Sequence, residues 1–198
     1  MTAAVILAAG QSARIGRPKA LLDLDGRTFL EHVIATVRSA AIRNVMIAIA
    51  HDDDKILKIC ELTKINVIYN TATPVAVPLG SIKAAIRHII NQSVDSLLVW
   101  PVDQPHVLQE TVSSLLAAFL RFRKGVTVPV FNGRRGHPVI FGRAVFEELL
   151  GAPADLGARA VVRADPGRVC EVLVEDPAIL EDIDTPADYE AMLARLRP

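Results

Sequence analysis

Short apolar runs alternate with amphipathic stretches through the first part of the chain. Val5-Ile6-Leu7, Val45-Met46-Ile47-Ala48-Ile49, Asn66-Val67-Ile68-Tyr69 and Leu97-Leu98-Val99-Trp100 read as buried strands. Between them, Thr28 to Ser39 carries Phe29, Leu30, Val33, Ile34 and Val37 on one helical face. Thr28 with Glu31 forms a capping box that sets the start of this helix. Asp54 to Glu61 and Ser81 to Ile90 also read as helices, and Val112, Leu115, Leu116, Phe119 and Leu120 recur at helical spacing.

The rhythm then changes. Val126 to Phe131 and Val139 to Phe141 read as strands around the turn Asn132-Gly133-Arg134-Arg135-Gly136. Two short helical stretches follow, near Ala144 to Leu150 and Leu156 to Ala164, and Val169 to Val174 returns to strand. The last helix has Thr185 as N-cap, Pro186 in the first turn, Asp188 behind the cap, and Tyr189, Met192, Leu193 and Leu196 on one face. Strands alternating with helices predict an α/β fold with a mostly parallel sheet covered on both sides. At 198 residues, with no linker and no repeat, one domain over residues 1–198 is expected. In such sheets ligands bind beyond the carboxyl ends of the strands, so the segments just after strands carry the chemistry.

Lys+Arg and Asp+Glu both number 22, so the net charge is zero. A general nucleic-acid or anionic-membrane binder shows a basic excess, and neither class of partner is expected. An anionic ligand must be met by a local cluster. Cys60 and Cys170 lack metal-site spacing and read as buried thiols in a reducing compartment. No uncharged apolar run reaches the about 18–20 residues of a membrane helix, and the N-terminus lacks the basic region of a signal peptide. A cytoplasmic protein is expected.

The segment after the first strand runs Leu7-Ala8-Ala9-Gly10-Gln11-Ser12-Ala13-Arg14-Ile15-Gly16-Arg17-Pro18-Lys19. Small residues let backbone N–H groups approach an anion. Arg14 can fork onto phosphate oxygens and Lys19 supplies a point charge. It is not a Walker loop, because Lys19 follows Pro18 and precedes Ala20. It is not the dinucleotide fingerprint, because Ser12 stands at the second glycine.

Asp103, in Trp100-Pro101-Val102-Asp103-Gln104-Pro105, ends the fourth strand. A carboxylate there either holds a divalent cation against phosphate or caps the next helix. Within a strand, Asp182 and Asp184 would share a face; either they form a pair able to complete a metal site with Asp103, or Asp184 simply precedes the cap of the last helix. Asp52-Asp53-Asp54 opens a helix and reads as a dipole-favoured first turn. His32 and His88 read as packing or surface residues; His51 and His106 follow strands and carry no assignment. Arg134, Arg135 and His137 either grip a second anion or form a solvated turn.

Leu-Ala-Ala-Gly-x-Ser-x-Arg-x-Gly-x-Pro-Lys-x-Leu-Leu, spanning Leu7 to Leu22, resembles the signature of the molybdopterin-guanylyltransferase-like nucleotidyltransferase superfamily, above all its molybdenum cofactor cytidylyltransferase branch. Ile15 stands where many relatives have Met. The resemblance implies a three-layer, Rossmann-like (GT-A-like) sheet with a small β-hairpin insertion. It implies that Leu7, Ala8, Ala9, Gly10, Ser12, Arg14, Lys19, Gly80, Ser81 and Asp103 bind the nucleotide. Arg14, Lys19 and Asp103 are then the catalytic set, and magnesium falls to Asp103 with Asp182 or Asp184. Gly-x-x-Gly-His-Pro-Val at Gly133 to Val139 and Asp155-Leu156-Gly157-Ala158-Arg159 resemble acceptor-side segments, implying that Arg134, Arg135, His137 and Arg159 bind a phosphorylated acceptor, molybdopterin. Ala154 replaces a glycine that relatives carry, and Pro74-Val75-Ala76-Val77-Pro78 is an unusual lead-in to Gly80. Leu-Ala-Ala-Gly tilts the base toward cytosine, hence CTP. Two other readings are a transferase acting on a sugar phosphate or another small phosphorylated alcohol, and a non-catalytic nucleotide- or cofactor-binding protein on the same fold.

Overall fold

A computed structural model of the chain describes residues 1–10, 12, 14–70 and 78–196. In chain order the strands and α-helices are β1 (Thr2–Leu7), β2 (Asp23–Leu24), β3 (Arg27–Thr28), α1 (Phe29–Ser39), β4 (Asn44–Ile49), α2 (Asp54–Thr63), β5 (Asn66–Tyr69), α3 (Pro78–Ile89), β6 (Ser96–Pro101), α4 (Gln109–Phe122), β7 (Val126–Phe131), β8 (Arg134–Arg135), β9 (Val139–Gly142), α5 (Phe146–Gly151), α6 (Arg159–Ala164), β10 (Val169–Leu173) and α7 (Pro186–Leu196). Three-residue 3₁₀ turns at Lys19–Leu21, Arg143–Val145 and Pro166–Arg168, and a four-residue one at Pro177–Leu180, complete the path. Residues 74–77 of the proline-rich lead-in, with Gln11 and Ala13 of the first loop, lie outside the described residues.

The main sheet runs β10-β7-β9-β6-β1-β4-β5, with β8 paired to β7. β6, β1, β4 and β5 pair in parallel, as do β10 and β7, while β9 lies antiparallel between β6 and β7. Alternate strand residues feed two cores, so both faces are covered. Ala4, Ile6, Ile47, Leu98 and Trp100 pack under α1, α2, α4 and α7; Ala3, Val5, Met46, Leu97 and Val99 pack under α3, α5 and α6. The three-layer α/β sheet and the hairpin are present as expected. The small ribbon β2–β3 was not anticipated; two-residue strands carry too little pattern to be read.

Local chemistry places the helix starts. Thr28 Oγ1 accepts from Glu31 N while the Glu31 carboxylate accepts from Thr28 N, which closes the capping box. Asp53 caps α2 through the N–H groups of Lys55 and Ile56, so the Asp52–Asp54 run is structural there. Thr185 Oγ1 accepts from Asp188 N and Asp188 accepts from Thr185 N, the same reciprocal pair at the start of α7. His32 bonds the Leu24 carbonyl and His88 is exposed, in keeping with packing and surface roles. Cys60 is buried, whereas Cys170 is only half-buried. Among the described residues, no helix is long and apolar enough to cross a membrane.

The segment carrying Asp182 and Asp184 is not a strand, which corrects the expectation that both residues alternate onto one sheet face. Its backbone donors are taken by other partners: Ile183 N bonds Asp103 O at 3.0 Å, and Asp184 N and Thr185 N both bond the Asp188 carboxylate. Those donors are spent on a loop and a helix cap rather than on a ladder.

The hairpin is anchored at its base. Gly136 N bonds Pro129 O, His137 N bonds Ile179 O at 3.0 Å, and a Cβ on Gly136 would overlap the Ile179 carbonyl. Gly151, by contrast, faces open space. Gly136→Ala should therefore destabilise the fold by about 3 kcal/mol, the upper end of overpacking costs, while Gly151→Ala stays within about 0.5 kcal/mol, as for open surface sites. Urea unfolding midpoints measure both; equal midpoints would show that the hairpin base yields freely.

Candidate functional site

β1 and β6 are neighbours in parallel register, so the segments leaving their carboxyl ends emerge side by side. Ala8 N bonds Ala48 O, and Val102 N bonds Leu7 O, which fixes both exits. The first loop then folds on itself around Ser12. The N–H groups of Ile15 and Gly16 bond the Ser12 carbonyl, and Lys19 N donates to Ser12 Oγ at 3.1 Å. The loop thus presents Lys19 toward the end of β6.

There Lys19 Nζ bridges two carboxylates, at 2.7 Å from Asp103 Oδ2 and 2.5 Å from Asp184 Oδ1. Arg14 Nη2 reaches Asp184 Oδ2 at 2.9 Å. The Lys19 side chain is 14% exposed, and the Asp103 and Asp184 side chains are 21% and 32% exposed. Burial alone would lower the Lys19 pKa, but its bonds to Asp103 and Asp184 outweigh this and the net shift is upward. Burial raises Asp103, with Lys19 opposing it and the nearby charges of Asp182 and Asp184 adding to the rise. Asp184 moves down, chiefly through its bond from Lys19.

Asp182 has a different partner. Gln104 Nε2 donates to Asp182 Oδ1 at 2.8 Å and to the Ile179 carbonyl at 3.3 Å. Asp103, Asp182 and Asp184 are therefore neighbours without forming a closed cage, and no group of three His, Cys, Asp or Glu side chains among the described residues makes a ready metal site. The donor chemistry nevertheless fits a hard divalent cation. Asp103 Oδ1 is buried and takes no hydrogen bond, which leaves a costly unpaired oxygen at the ligand edge of the sheet.

The acceptor-side candidates are divided. His137 is brought toward Asp182, Asp103 and Arg159, all of which act on it electrostatically, and burial lowers its pKa. Arg159 is exposed at the start of α6. Arg135 is turned away, with Nε on Glu171 Oε1 of the edge strand at 2.6 Å. Arg134 is exposed. Of the base-side candidates, Ser81 is 1% exposed and its hydroxyl accepts from Asn70 Nδ2, so its side chain is engaged within the fold. A Cβ on Gly80 would lie 2.6 Å from Asn70 Oδ1, which explains the glycine by close packing. Leu7 and Ala8 are half-buried, Ala9 is buried and Gly10 is exposed, so this stretch offers mainly backbone.

A family described as the MobA-like NTP transferase domain matches residues 4–169. The chain belongs to this family. Curated relatives named "Probable molybdenum cofactor guanylyltransferase" include one from Bacillus cereus strain AH187, 31% identical over 133 residues, and one from strain ATCC 10987, 33% identical over 134. Each match covers 67% of this chain and 64% of the relative's own length. The crystal structure of an rv0371c homologue from Mycobacterium sp. strain JC1 superposes with TM-score 0.83 at 26% identity, covering 98% of this chain and 96% of that one. A cytidylyltransferase from Leptospira borgpetersenii shares the fold at TM-score 0.75 and 18% identity, covering 98% of this chain and 85% of that one. Membership of the MobA-like family bears out the superfamily resemblance carried by Leu7 to Leu22.

Two features escaped sequence reasoning. Gln104 follows Asp103 directly, yet an amide flags no chemistry until its partners are known. Glu181 forms a two-bond pair with Arg195 at 2.7 and 2.6 Å and meets His106 at 2.9 Å, tying α7 to the loop after β6. The Arg195 bonds, with His106 assisting, hold the Glu181 carboxyl down at about 2. A carboxyl depressed in the folded state stabilises above its ordinary pKa, and this support is lost as pH falls from the usual glutamate range through about 2. In Arg195→Ala, carbon-13 NMR should show Glu181 titrating closer to the ordinary glutamate value. A midpoint unchanged near 2 would assign the depression to another group.

Proposed function

We propose that this protein transfers a nucleoside monophosphate from a nucleoside triphosphate to a phosphorylated acceptor and releases pyrophosphate. The observation that carries this reading is the Lys19 bridge to Asp103 and Asp184, with Arg14 beside it, at the carboxyl ends of β1 and β6 in a MobA-like chain. An acceptor phosphate oxygen attacks the α-phosphorus, the bond to the β-phosphate oxygen breaks, and the electron pair leaves with pyrophosphate. No protein nucleophile is needed; placement and charge stabilisation suffice. Arg14 and Lys19 exchange part of their carboxylate contacts for phosphate oxygens, and the loop around Ser12 keeps both cations at one end of the sheet. Asp103, with Asp182 or Asp184, would hold Mg²⁺, which when bound neutralises phosphate charge. His137, Arg134 and Arg159 border the acceptor side, with Arg135 contributing once it leaves Glu171.

The donor proposed from Leu7-Ala8-Ala9-Gly10 is CTP. The guanylyltransferase names of the curated relatives favour GTP as a second reading. The same names support molybdopterin as acceptor. Pyrophosphate release across the four triphosphates, with and without molybdopterin, tests all of this. Release that requires molybdopterin and one pyrimidine or purine triphosphate sustains the proposal. Release only with sugar phosphates changes the acceptor, and triphosphate binding without any release makes the protein a binder.

In that assay Asp103→Asn should lower kcat by about 100-fold or more with folding intact, the scale of losing one charge-stabilising group. Lys19→Ala should lower kcat more than it raises the triphosphate KM, since a point charge at the reacting phosphates acts mainly in the transition state. Near-normal turnover in either folded variant removes that residue from the chemistry. Arg134→Ala combined with Arg159→Ala should raise the acceptor KM by about 1–3 kcal/mol and spare the triphosphate KM. Arg135→Ala should have the smaller effect, because Glu171 already holds its guanidinium. Equal acceptor kinetics in the double variant at low salt would return the hairpin to a solvated turn.

A further inference from the structure

The resemblance leaves Asp182 and Asp184 equivalent, but their contacts do not. Both oxygens of Asp184 are engaged by cations, Oδ1 by Lys19 and Oδ2 by Arg14. Among the described residues, Asp182 meets no cation within ion-pair distance, and its Oδ1 is held by the Gln104 amide. Gln104 is 2% exposed, and its NH₂ faces two acceptors, the Asp182 carboxylate and the Ile179 carbonyl. This arrangement fixes the amide orientation: turning it over would set its oxygen against two other oxygens. The Gln104 Oε1 atom is buried and without a hydrogen bond, as is Asp103 Oδ1 on the adjacent residue. Among the described residues, no protein cation bridges Asp103 to Asp182 as Lys19 bridges Asp103 to Asp184. Ile183 N on Asp103 O ties the two backbones together, and His137 N on Ile179 O ties the hairpin to the same node.

We propose that Gln104 is a positioning residue that holds Asp182 beside Asp103 as the second oxygen donor for a divalent cation, while Asp184 serves as the anchor of Lys19 and Arg14. The division follows from charge. Asp184 is already neutralised by two cations and gains least from a third. Asp103 Oδ1, buried and without a hydrogen bond, and the second oxygen of Asp182 are the carboxylate oxygens left for a divalent ion there. Gln104 acts through Asp182: an outer-shell amide that fixes a ligating carboxylate lets it bind without first ordering a mobile side chain. The assignment rests on the nucleotidyltransferase reading for its purpose, but metal binding is measured without turnover, so the two can fail separately.

The test is Mn²⁺ titration of the full chain, read by electron paramagnetic resonance, with no nucleotide present. Asp182→Asn and Gln104→Met should each weaken Mn²⁺ binding by about 10-fold or more, the usual cost of losing a ligand or its outer-shell support. Asp184→Asn should change it by less than about 3-fold on the same scale. The combined Gln104→Met and Asp182→Asn variant should bind no more weakly than Asp182→Asn alone, because a residue acting through another shows complete non-additivity. Urea midpoints of the four variants check folding, and Gln104→Asn replaces Gln104→Met if the latter fails to fold. The proposal is overturned by wild-type affinity in Asp182→Asn, by multiplicative losses in the combined variant, by a dominant loss in Asp184→Asn, or by the absence of Mn²⁺ binding to the wild type. Absence of pyrophosphate release by the wild type, with these affinities as expected, would instead count against the nucleotidyl-transfer reading.

Discussion

Lys19 is the cation on which the rest of the site is assembled. It joins carboxylates that lie 84 and 165 positions away in the sequence, one after β6 and one before α7. Without it, Asp103 and Asp184 would meet as like charges in a half-buried setting, a costly arrangement in a medium less polar than water. With it, Asp184 stays ionised below the ordinary aspartate range, and the burial penalty on Asp103 is partly offset. The ammonium can do this only because the first loop is itself closed: Ser12 accepts from Lys19 N, and its carbonyl accepts from Ile15 and Gly16. Stability and chemical capacity therefore share the same few contacts.

Sheet order explains why these segments converge. β1 lies between β6 and β4, so its loop is flanked by the ends of two parallel neighbours. The antiparallel β9 then lets the chain turn back, and the tight connection between β7 and β8 brings residues 136 and 137 over the Ile179 carbonyl. That one carbonyl accepts from the hairpin backbone and from Gln104, so the hairpin and the acidic segment are coupled through a single buried atom. A side chain at position 136 would separate them, which is why a glycine there matters more than its place near a turn suggests.

What could be read from sequence divides along the range of the interaction. The capping box at Thr28, the Thr185 N-cap and the strand cores were legible because each depends on residues within one turn or one period. The convergence of the first loop and Asp103 at one end of the sheet was legible because both leave the carboxyl ends of strands. The strand expected through Asp182 and Asp184 failed because its pattern is local while its backbone partners, Asp103 and the Asp188 carboxylate, belong to a loop and a helix cap. Arg134 and Arg135 read as one patch, yet successive strand residues face opposite ways, and one guanidinium went to Glu171 on β10. Gln104 carried no signal, since its importance lies wholly in the two oxygens it touches.

The balance of charge sets the terms for any anionic substrate. The chain carries no net charge, and the two cations best placed for phosphate are already paired with Asp184. A triphosphate arriving alone would have to break those pairs and leave carboxylates uncompensated in a half-buried site. Arrival together with a divalent ion changes the sum: the cations turn to phosphate while the carboxylates keep a positive partner. The exchange is then close to neutral for the protein, and little of the binding energy is spent on exposing or stripping charge. On the proposed function, a site built in this way would discriminate against bare polyanions without a steric barrier, because both charges must be supplied at once.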